Sequence, residues 1–476
     1  MNNFELRIMN YEFKEQVSEV RNTENGNPRT ETGFRSKKSE ARNQKSVFKI
    51  MIAVAVTAIF FISPFANAQS LDSLVSEAVR NNPQLKSLHY KINSSEYRSE
   101  SVNTLPPPTL GIEFNQIPTS KYNLWNDALS NSLSLSQMFP LGGKLNAMSN
   151  VEKKNTLIQK DSYQSYKINL IAQVKMEYYT LWLLDRKIEV QENNIKLLND
   201  LINSVNVLYQ VNKINQADLL TLKSEAASNQ TQLIILQNQK EAEIYKLNKL
   251  LGRNLNSTSV YAVKELPTDT LNTSQQNLEA KLEQLNPELK KMSGMVEMNK
   301  AMIISNDKEL IPDLMVQGMI MRMPQGMILT SKSDLSMPMP QTGYMYSLMA
   351  SITLPFAPWS ANKYKAKDEE LSSEIEGIEY QRNDMQREMI SNLKNALVKL
   401  KTSSELIKLD STNVIPLYKQ AADAQTSAYQ NNRTNINTVI DSYRMLLMQE
   451  MNFYMAQADY RMSLAEIEMM VGEELK

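Results

Sequence analysis

IAQVKMEYYTLWLLDRKIEVQENNIKLLNDLINSVNVLYQ, residues 171–210, is the stretch whose reading decides the fold. Within it Val174, Leu181, Ile188, Ile195, Ile202 and Tyr209 recur every seven residues. The partner positions start apolar at Ile171 and Tyr178, then turn polar at Asp185, Glu192, Asn199 and Asn206. Leu184, Leu198 and Val205 take over beside the seam. A repeat of seven keeps one stripe of a helix facing a partner, so this is a sustained coiled-coil pattern whose apolar stripe widens sideways. Outward from it, the whole run from Lys144 to Leu251 contains neither glycine nor proline. A helix of about 65 residues would be about 100 Å long. Polar residues cluster at Gln210, Asn212, Lys213, Asn215 and Gln216, and a new apolar pattern starts at Leu219, Leu220 and Leu222. The pattern predicts a very long helical hairpin with its tip near Asn212 and its end at Gly252.

The plan occurs twice. Asn82-Pro83-Gln84-Leu85 recurs as Asn286-Pro287-Glu288-Leu289, Leu105-Pro106 as Ile311-Pro312, and Tyr209-Gln210-Val211-Asn212-Lys213 as Tyr429-Gln430-Asn431-Asn432-Arg433. The three motifs recur in the same order and at similar offsets, which points to an internal duplication with modest insertions. The expected organisation is an N-terminal extension and leader over 1–68, a first repeat over 69–285 and a second over 286–476. Each repeat holds a helix, two strands and a long hairpin.

The strands are read from period-two segments. Thr109–Ile117 puts Leu110, Ile112 and Phe114 opposite Gly111, Glu113 and Asn115. Ser132–Ser136 alternates serine with Leu133 and Leu135. Asp313–Met321 sets Leu314, Val316 and Ile320 against Asp313 and Gln317, and Met345–Leu354 sets Tyr346, Leu348 and Ile352 against Ser347 and Ser351. Four strands of about nine residues suit a tilted membrane crossing, apolar outside and polar within. Four cannot close a barrel alone, because the edges stay unpaired. Three chains sharing twelve strands could. The fold class expected is mainly α with a small β part.

Composition removes several function classes. Lys and Arg total 52 against 52 Asp and Glu, so no basic excess marks a nucleic-acid binder. Cysteine is absent, which rules out disulfides, thiolate metal sites and cysteine nucleophiles. A single histidine, His89, excludes a multi-histidine metal site; it sits on the first amphipathic helix, where a surface or packing role is expected. Gly142-Gly143-Lys144 lacks the earlier glycine and the following Ser/Thr of a phosphate loop, and a strand-to-helix break explains the glycines. No cofactor is implied, and the chain is not read as an enzyme.

Ile50 to Ile62 is apolar apart from Thr57, follows Arg42, Lys45 and Lys49, and precedes Ala66-Asn67-Ala68. This is the pattern of a secretory signal peptide cleaved between Ala68 and Gln69. The rest of the chain has no other long apolar run, so membrane entry would have to be as a β-barrel.

With these features together, the layout resembles the TolC-like outer-membrane efflux proteins over essentially all of 69–476. Leu71-Asp72-Ser73-Leu74 through Ala78-Val79 to Asn82-Pro83 looks like that family's first helix. Leu133 to Lys144 (LSLSQMFPLGGK) resembles its strand-to-helix junction, Leu247 to Arg253 (LNKLLGR) its helix end, and Pro416 a proline often found in its second hairpin. Asn212 and Asn432 stand where the family usually has glycine, and asparagine tolerates the left-handed turn such a tip needs.

The resemblance implies a homotrimer with a 12-stranded outer-membrane β-barrel and a periplasmic α-barrel of twelve helices. It implies a Gram-negative outer-membrane location with a large periplasmic portion, contact with outer-membrane lipid, and two partners, a periplasmic adaptor and an inner-membrane pump. The docking tips would include Tyr209, Asn212, Lys213, Asp218, Tyr429, Asn432 and Arg433. Asp441 fits one of the family's inward aspartates at the pore constriction, and Thr438 stands at the other. The function implied is a passive efflux duct. The alternatives are a periplasmic adaptor, which would show one hairpin flanked by Gly-rich β modules, or a structural coiled-coil protein of the envelope.

Methionine bears on the substrate. Residues 292–349 hold thirteen of the 28 methionines. Met315, Met319 and Met321 share parity with Asp313 and Gln317, and Met345 and Met349 with Ser347 and Ser351. Met323, Met327, Met337 and Met339 follow in the loop. Thioether sulfur favours soft Cu(I) or Ag(I) over hard ions, so a transient soft-metal path is one reading. The other is adaptable apolar filler, as at Met445, Met448, Met451 and Met455.

Overall fold

A computed structural model of the chain describes residues 70–120, 122–211, 213–257, 262–266, 271, 273–324 and 343–475. The leader, with Ala68 and Gln69, lies outside the described residues, as do Asn212, Met327, Met337 and Met339.

The chain opens with α1 (Leu71–Asn81) and α2 (Pro83–Ser101), then β1 (Thr109–Asn115), a short α3 (Leu124–Asp127) and β2 (Ser130–Pro140). The first hairpin is α4 (Lys144–Gln210) and α5 (Gln216–Leu251). The order then recurs: α6 (Gln275–Leu285), α7 (Pro287–Glu309), β3 (Asp313–Met323), β4 (Gly343–Ile352) and a second hairpin. Its rising limb is α8 (Pro358–Leu409), a π turn (Asp410–Val414) and α9 (Ile415–Gln430); its returning limb is α10 (Ile436–Val471). The offset that relates Asn82 to Asn286 also carries α1 onto α6, so the second run of elements opens at Gln275 rather than at Asn286.

The single opening helix expected from sequence is two helices. Asn82 leaves helical geometry (φ −57°, ψ 122°), because the residue before Pro83 is pushed out of the α region. Its side-chain oxygen accepts the N–H groups of Gln84 (3.0 Å) and Leu85 (3.1 Å), capping α2, while its Nδ2 donates to the Leu250 carbonyl (3.0 Å) at the end of α5. One residue therefore ends one helix, starts the next and ties both to the hairpin. Asn286 repeats this, capping Glu288 and Leu289 and donating to the Met470 carbonyl (2.8 Å). The hairpins end opposite these elbows at Gly252 (φ +69°) and Gly472 (φ +87°). A Cβ on Gly252 would lie 2.8 Å from the Asn81 carbonyl oxygen, so the close approach as well as the left-handed turn requires glycine. His89 consequently falls on α2, exposed, with its ring edge-on to Tyr90 and Tyr163.

Each elbow sits on its own core. Leu74, Ala78 and Leu85 pack with Leu170, Val174, Tyr178, Leu181, Leu247 and Leu251. Leu278, Leu282 and Leu289 pack with Leu393, Leu400, Ile467 and Val471. The first three members of each set are related by the shift from Asn82 to Asn286, and Leu247 and Leu251 map onto Ile467 and Val471 by the shift from Tyr209 to Tyr429. Full burial of each such side chain stabilises by about 1.5–3 kcal/mol. A third core joins the two tips: Leu198, Leu201, Val205, Leu219 and Leu222 of the first hairpin meet Tyr429, Ile436, Val439 and Ile440 of the second.

The four expected strands are present in one antiparallel sheet of order β1-β2-β3-β4; β2 and β3 run longer than expected, β1 stops at Asn115 and β4 lies two residues earlier. Gly142 (φ +68°) and Gly143 (φ +77°) turn β2 sharply into α4, and a Cβ on Gly142 would meet the Ile311 side chain. No described helix is long and apolar enough to cross a membrane.

Candidate functional site

The sheet has two unlike faces, and its register assigns them. Ser132 pairs with Met321, Ser134 with Met319, Ser136 with Gln317 and Met138 with Met315. Across the next ladder Met315 pairs with Ser351, Gln317 with Met349, Met319 with Ser347 and Met321 with Met345. Directly opposed residues share a face, so the five methionines read from sequence lie together among serines, with Gly111 and Glu113 of β1 beyond. The other face carries Leu110, Ile112, Leu133, Leu135, Ile320, Tyr346 and Leu348, all exposed in the single chain.

Met323, expected in the loop, instead ends β3 opposite Gly343 and joins this face. Met138, opposite Met315, is a seventh sulfur on it. The alternation Leu133-Ser134-Leu135-Ser136 continued to it, but the expected strand stopped at Ser136. At the helix end of the sheet, buried Lys144 pairs with Asp313 (2.8 Å) and Glu309 (3.5 Å). At the loop end, the Arg322 guanidinium lies 5.3 Å over the Trp125 ring, which also meets Phe114 edge-on. The apolar face is thus flanked by exposed aromatics: Tyr122, Trp125 and Tyr344 near one end, Phe356 and Trp359 near the other.

The second zone is the tips. Among the tip residues expected from sequence, Tyr429 and Asp218 are brought together: the buried Tyr429 hydroxyl donates to Asp218 Oδ2 at 2.9 Å. Burial, reinforced by the Asp218 carboxylate, pushes that hydroxyl above the ordinary tyrosine range. Asn432 adopts φ +56°, the left-handed turn expected of it, and Arg433 N–H donates to the Ala428 carbonyl. Lys213 closes the first tip by donating to the Leu208 carbonyl (3.0 Å), and Tyr209 stays exposed. Asn435 caps α10 by accepting the N–H and the hydroxyl of Thr438, so that hydroxyl is engaged in the cap. Asp441, one turn on, is exposed and contacts Arg444.

Solved outer-membrane channels follow the same backbone path. CmeC of Campylobacter jejuni superposes with a TM-score of 0.68 at 13% identity, covering 86% of this chain and 87% of that one. VceC of Vibrio cholerae gives 0.67 at 14%, covering 86% and 97%. The open-state MtrE channel of Neisseria gonorrhoeae gives 0.65 at 16%, covering 85% and 89%. The fold is that of an outer-membrane channel. The sequence model of the outer membrane efflux protein family matches residues 74–253, from within α1 to just past α5. No curated protein sequence matches the chain. The resemblance to TolC-like efflux proteins therefore holds in sequence over the first run of elements and in fold over most of the chain.

Proposed function

We propose that the chain is the outer-membrane duct of a tripartite efflux system. The observation that carries this reading is the two-faced, four-stranded sheet, whose edge strands β1 and β4 have no further neighbour among the described strands, set on two long hairpins. Three copies would pair β4 of one with β1 of the next and close a 12-stranded barrel without free edges. Strands of 10–11 residues (β2, β3 and β4), at about 3.3 Å per residue and tilted by about 40°, span roughly the 25 Å apolar band of such barrels. The aromatics at both ends of the apolar face suit the two lipid interfaces. The hairpins would form the periplasmic α-barrel, with a periplasmic adaptor and an inner-membrane pump engaged at the tips. Thr438 and Asp441 would line the entrance. Conduction is passive, and an N-terminal leader cleaved before Gln69 delivers the chain to the envelope.

The substrate class that the sheet supports is a soft monovalent metal ion, Cu(I) or Ag(I). Seven thioethers share the polar face with serines, and weak thioether sites in series let an ion pass without trapping it. Two measurements test the reading. Detergent-extracted protein should insert into planar bilayers and conduct; protein that never conducts is not a duct. In a strain lacking the gene, replacing Met315, Met319, Met345 and Met349 with leucine keeps volume and apolarity but removes sulfur. Full restoration of Cu(I) and Ag(I) tolerance by that variant would reduce these methionines to packing.

A further inference from the structure

Arg444 has more carboxylate partners than a solvated helix residue requires. Its Nε donates to Glu225 Oε1 at 3.0 Å and its Nη2 to Glu225 Oε2 at 2.5 Å, a fork on a carboxylate of the first hairpin. The third corner, Nη1, donates to Asp441 Oδ1 at 3.3 Å. The Glu225 side chain is 12% exposed, against 57% for Arg444 and 62% for Asp441. Glu225 is held from behind: Asn229 Nδ2 donates to its Oε1 (3.1 Å), and Asn229 accepts from Gln191 (2.8 Å) and Asn194 (2.9 Å) in a buried amide layer between α4 and α5. The guanidinium is thus anchored to one hairpin and leans against the exposed carboxylate of the other.

We propose that Arg444 is a specificity-determining residue of the duct: fixed by Glu225, it offsets the Asp441 carboxylate and so limits how strongly the periplasmic entrance attracts cations. The proposal rests on the reading that Asp441 lines that entrance. Opposite charges in contact present a dipole instead of a net charge to a passing ion, so the attraction is weakened within the screening length, about 8 Å at physiological salt, where it would otherwise be felt. The triad of Glu225, Arg444 and Asp441 carries one net negative charge, with the compensated carboxylate on the exposed side. Removing the arginine leaves two. Removing Glu225 releases the guanidinium to Asp441 alone and leaves none.

The two removals therefore act in opposite directions, which a merely structural tie would not produce. The test is the reversal potential of detergent-extracted protein in planar bilayers under a KCl gradient. Arg444→Gln is expected to raise the cation-to-anion permeability ratio about twofold or more. Glu225→Gln and Asp441→Asn are expected to lower it, Arg444→Lys to leave it near wild type, and Asp441→Asn added to Arg444→Gln to remove most of the gain. An unchanged ratio in Arg444→Gln, or shifts of the same sign in Arg444→Gln and Glu225→Gln, overturns the proposal while the duct reading stands. A wild-type protein that does not conduct overturns both.

Discussion

The two elbows of this chain are nearly the same device, and the two hairpins they carry are not. At the first elbow Arg253 holds Glu77 with two bonds of 2.6 Å. At the second, the corresponding positions are Glu473 and Lys281, joined by the same kind of pair with the charges exchanged. Opposite signs keep each short helix on its own hairpin, because a crossed docking would bring like charges together. Above the elbows the halves diverge. In the first hairpin α4 runs unbroken for 67 residues and buries Tyr178, Leu181 and Trp182. In the second, α8 buries five positions among 52, and Val398, Leu409 and Leu417 are exposed. Its rising limb is interrupted at Asp410–Val414, just before Pro416, which lacks the N–H that would bond the Thr412 carbonyl; the wider π turn takes up the break. The elbows are fixed by caps and ties within one chain, whereas the second hairpin presents surfaces that other copies would cover.

The largest expected effects test whether the elbow cores are equivalent. Leu247→Ala and Ile467→Ala should each destabilise by about 3–5 kcal/mol in chemical unfolding followed by circular dichroism. Leu417→Ala, on the exposed limb, should change the fold of one chain by less than about 0.5 kcal/mol. A large loss at Leu417 in monomeric protein would break the contrast.

Next come the exchanged charges. Glu77→Lys should cost about 2–3 kcal/mol and be largely rescued by adding Arg253→Glu. Lys281→Glu should cost less and be rescued by Glu473→Lys, since the first pair is 15% and 21% exposed and the second 42% and 37%. Equal costs would mean that burial does not distinguish the elbows. The caps follow: Asn82→Ala and Asn286→Ala should each lose about 1–2 kcal/mol, by similar amounts, because each loses the same cap and the same tie to a carbonyl.

The last contrast is one of pH, with opposite signs in two places. Burial, then the neighbouring Glu243, raises the Glu177 carboxyl of the first hairpin from its ordinary 4.5 to about 7. The folded chain holds a proton that the unfolded chain releases, so this contribution is full below about pH 4.5 and lost as pH rises to about 7. Glu225 is lowered by its bond to Arg444, so the tie between hairpins is present above pH 4.5 and lost on acidification through its depressed value. Glu177→Gln should flatten unfolding curves between pH 4.5 and 7, and Arg444→Gln should flatten them below that range. A Glu177→Gln curve unchanged across the neutral range would remove the first contribution.

Local pattern carried much of this into view from sequence alone. The seven-residue repeat and the Gly-free run located the first hairpin and its end at Gly252, and period two located four strands and the parity of five methionines. Contacts between residues far apart in sequence were not legible. Tyr429 with Asp218 and Arg444 with Glu225 span 211 and 219 residues, and no local spacing marks either pair. The π turn was hidden because one extra residue in a turn does not disturb the composition around Pro416. Pro83 was visible, but the double use of Asn82 as cap and tie depends on where Leu250 arrives.

The central claim is that the open-edged sheet closes only between copies. Light scattering on detergent-extracted, size-separated protein measures this directly. The account predicts a mass of three chains within the micelle. A stable single chain that stays in solution without detergent would contradict it.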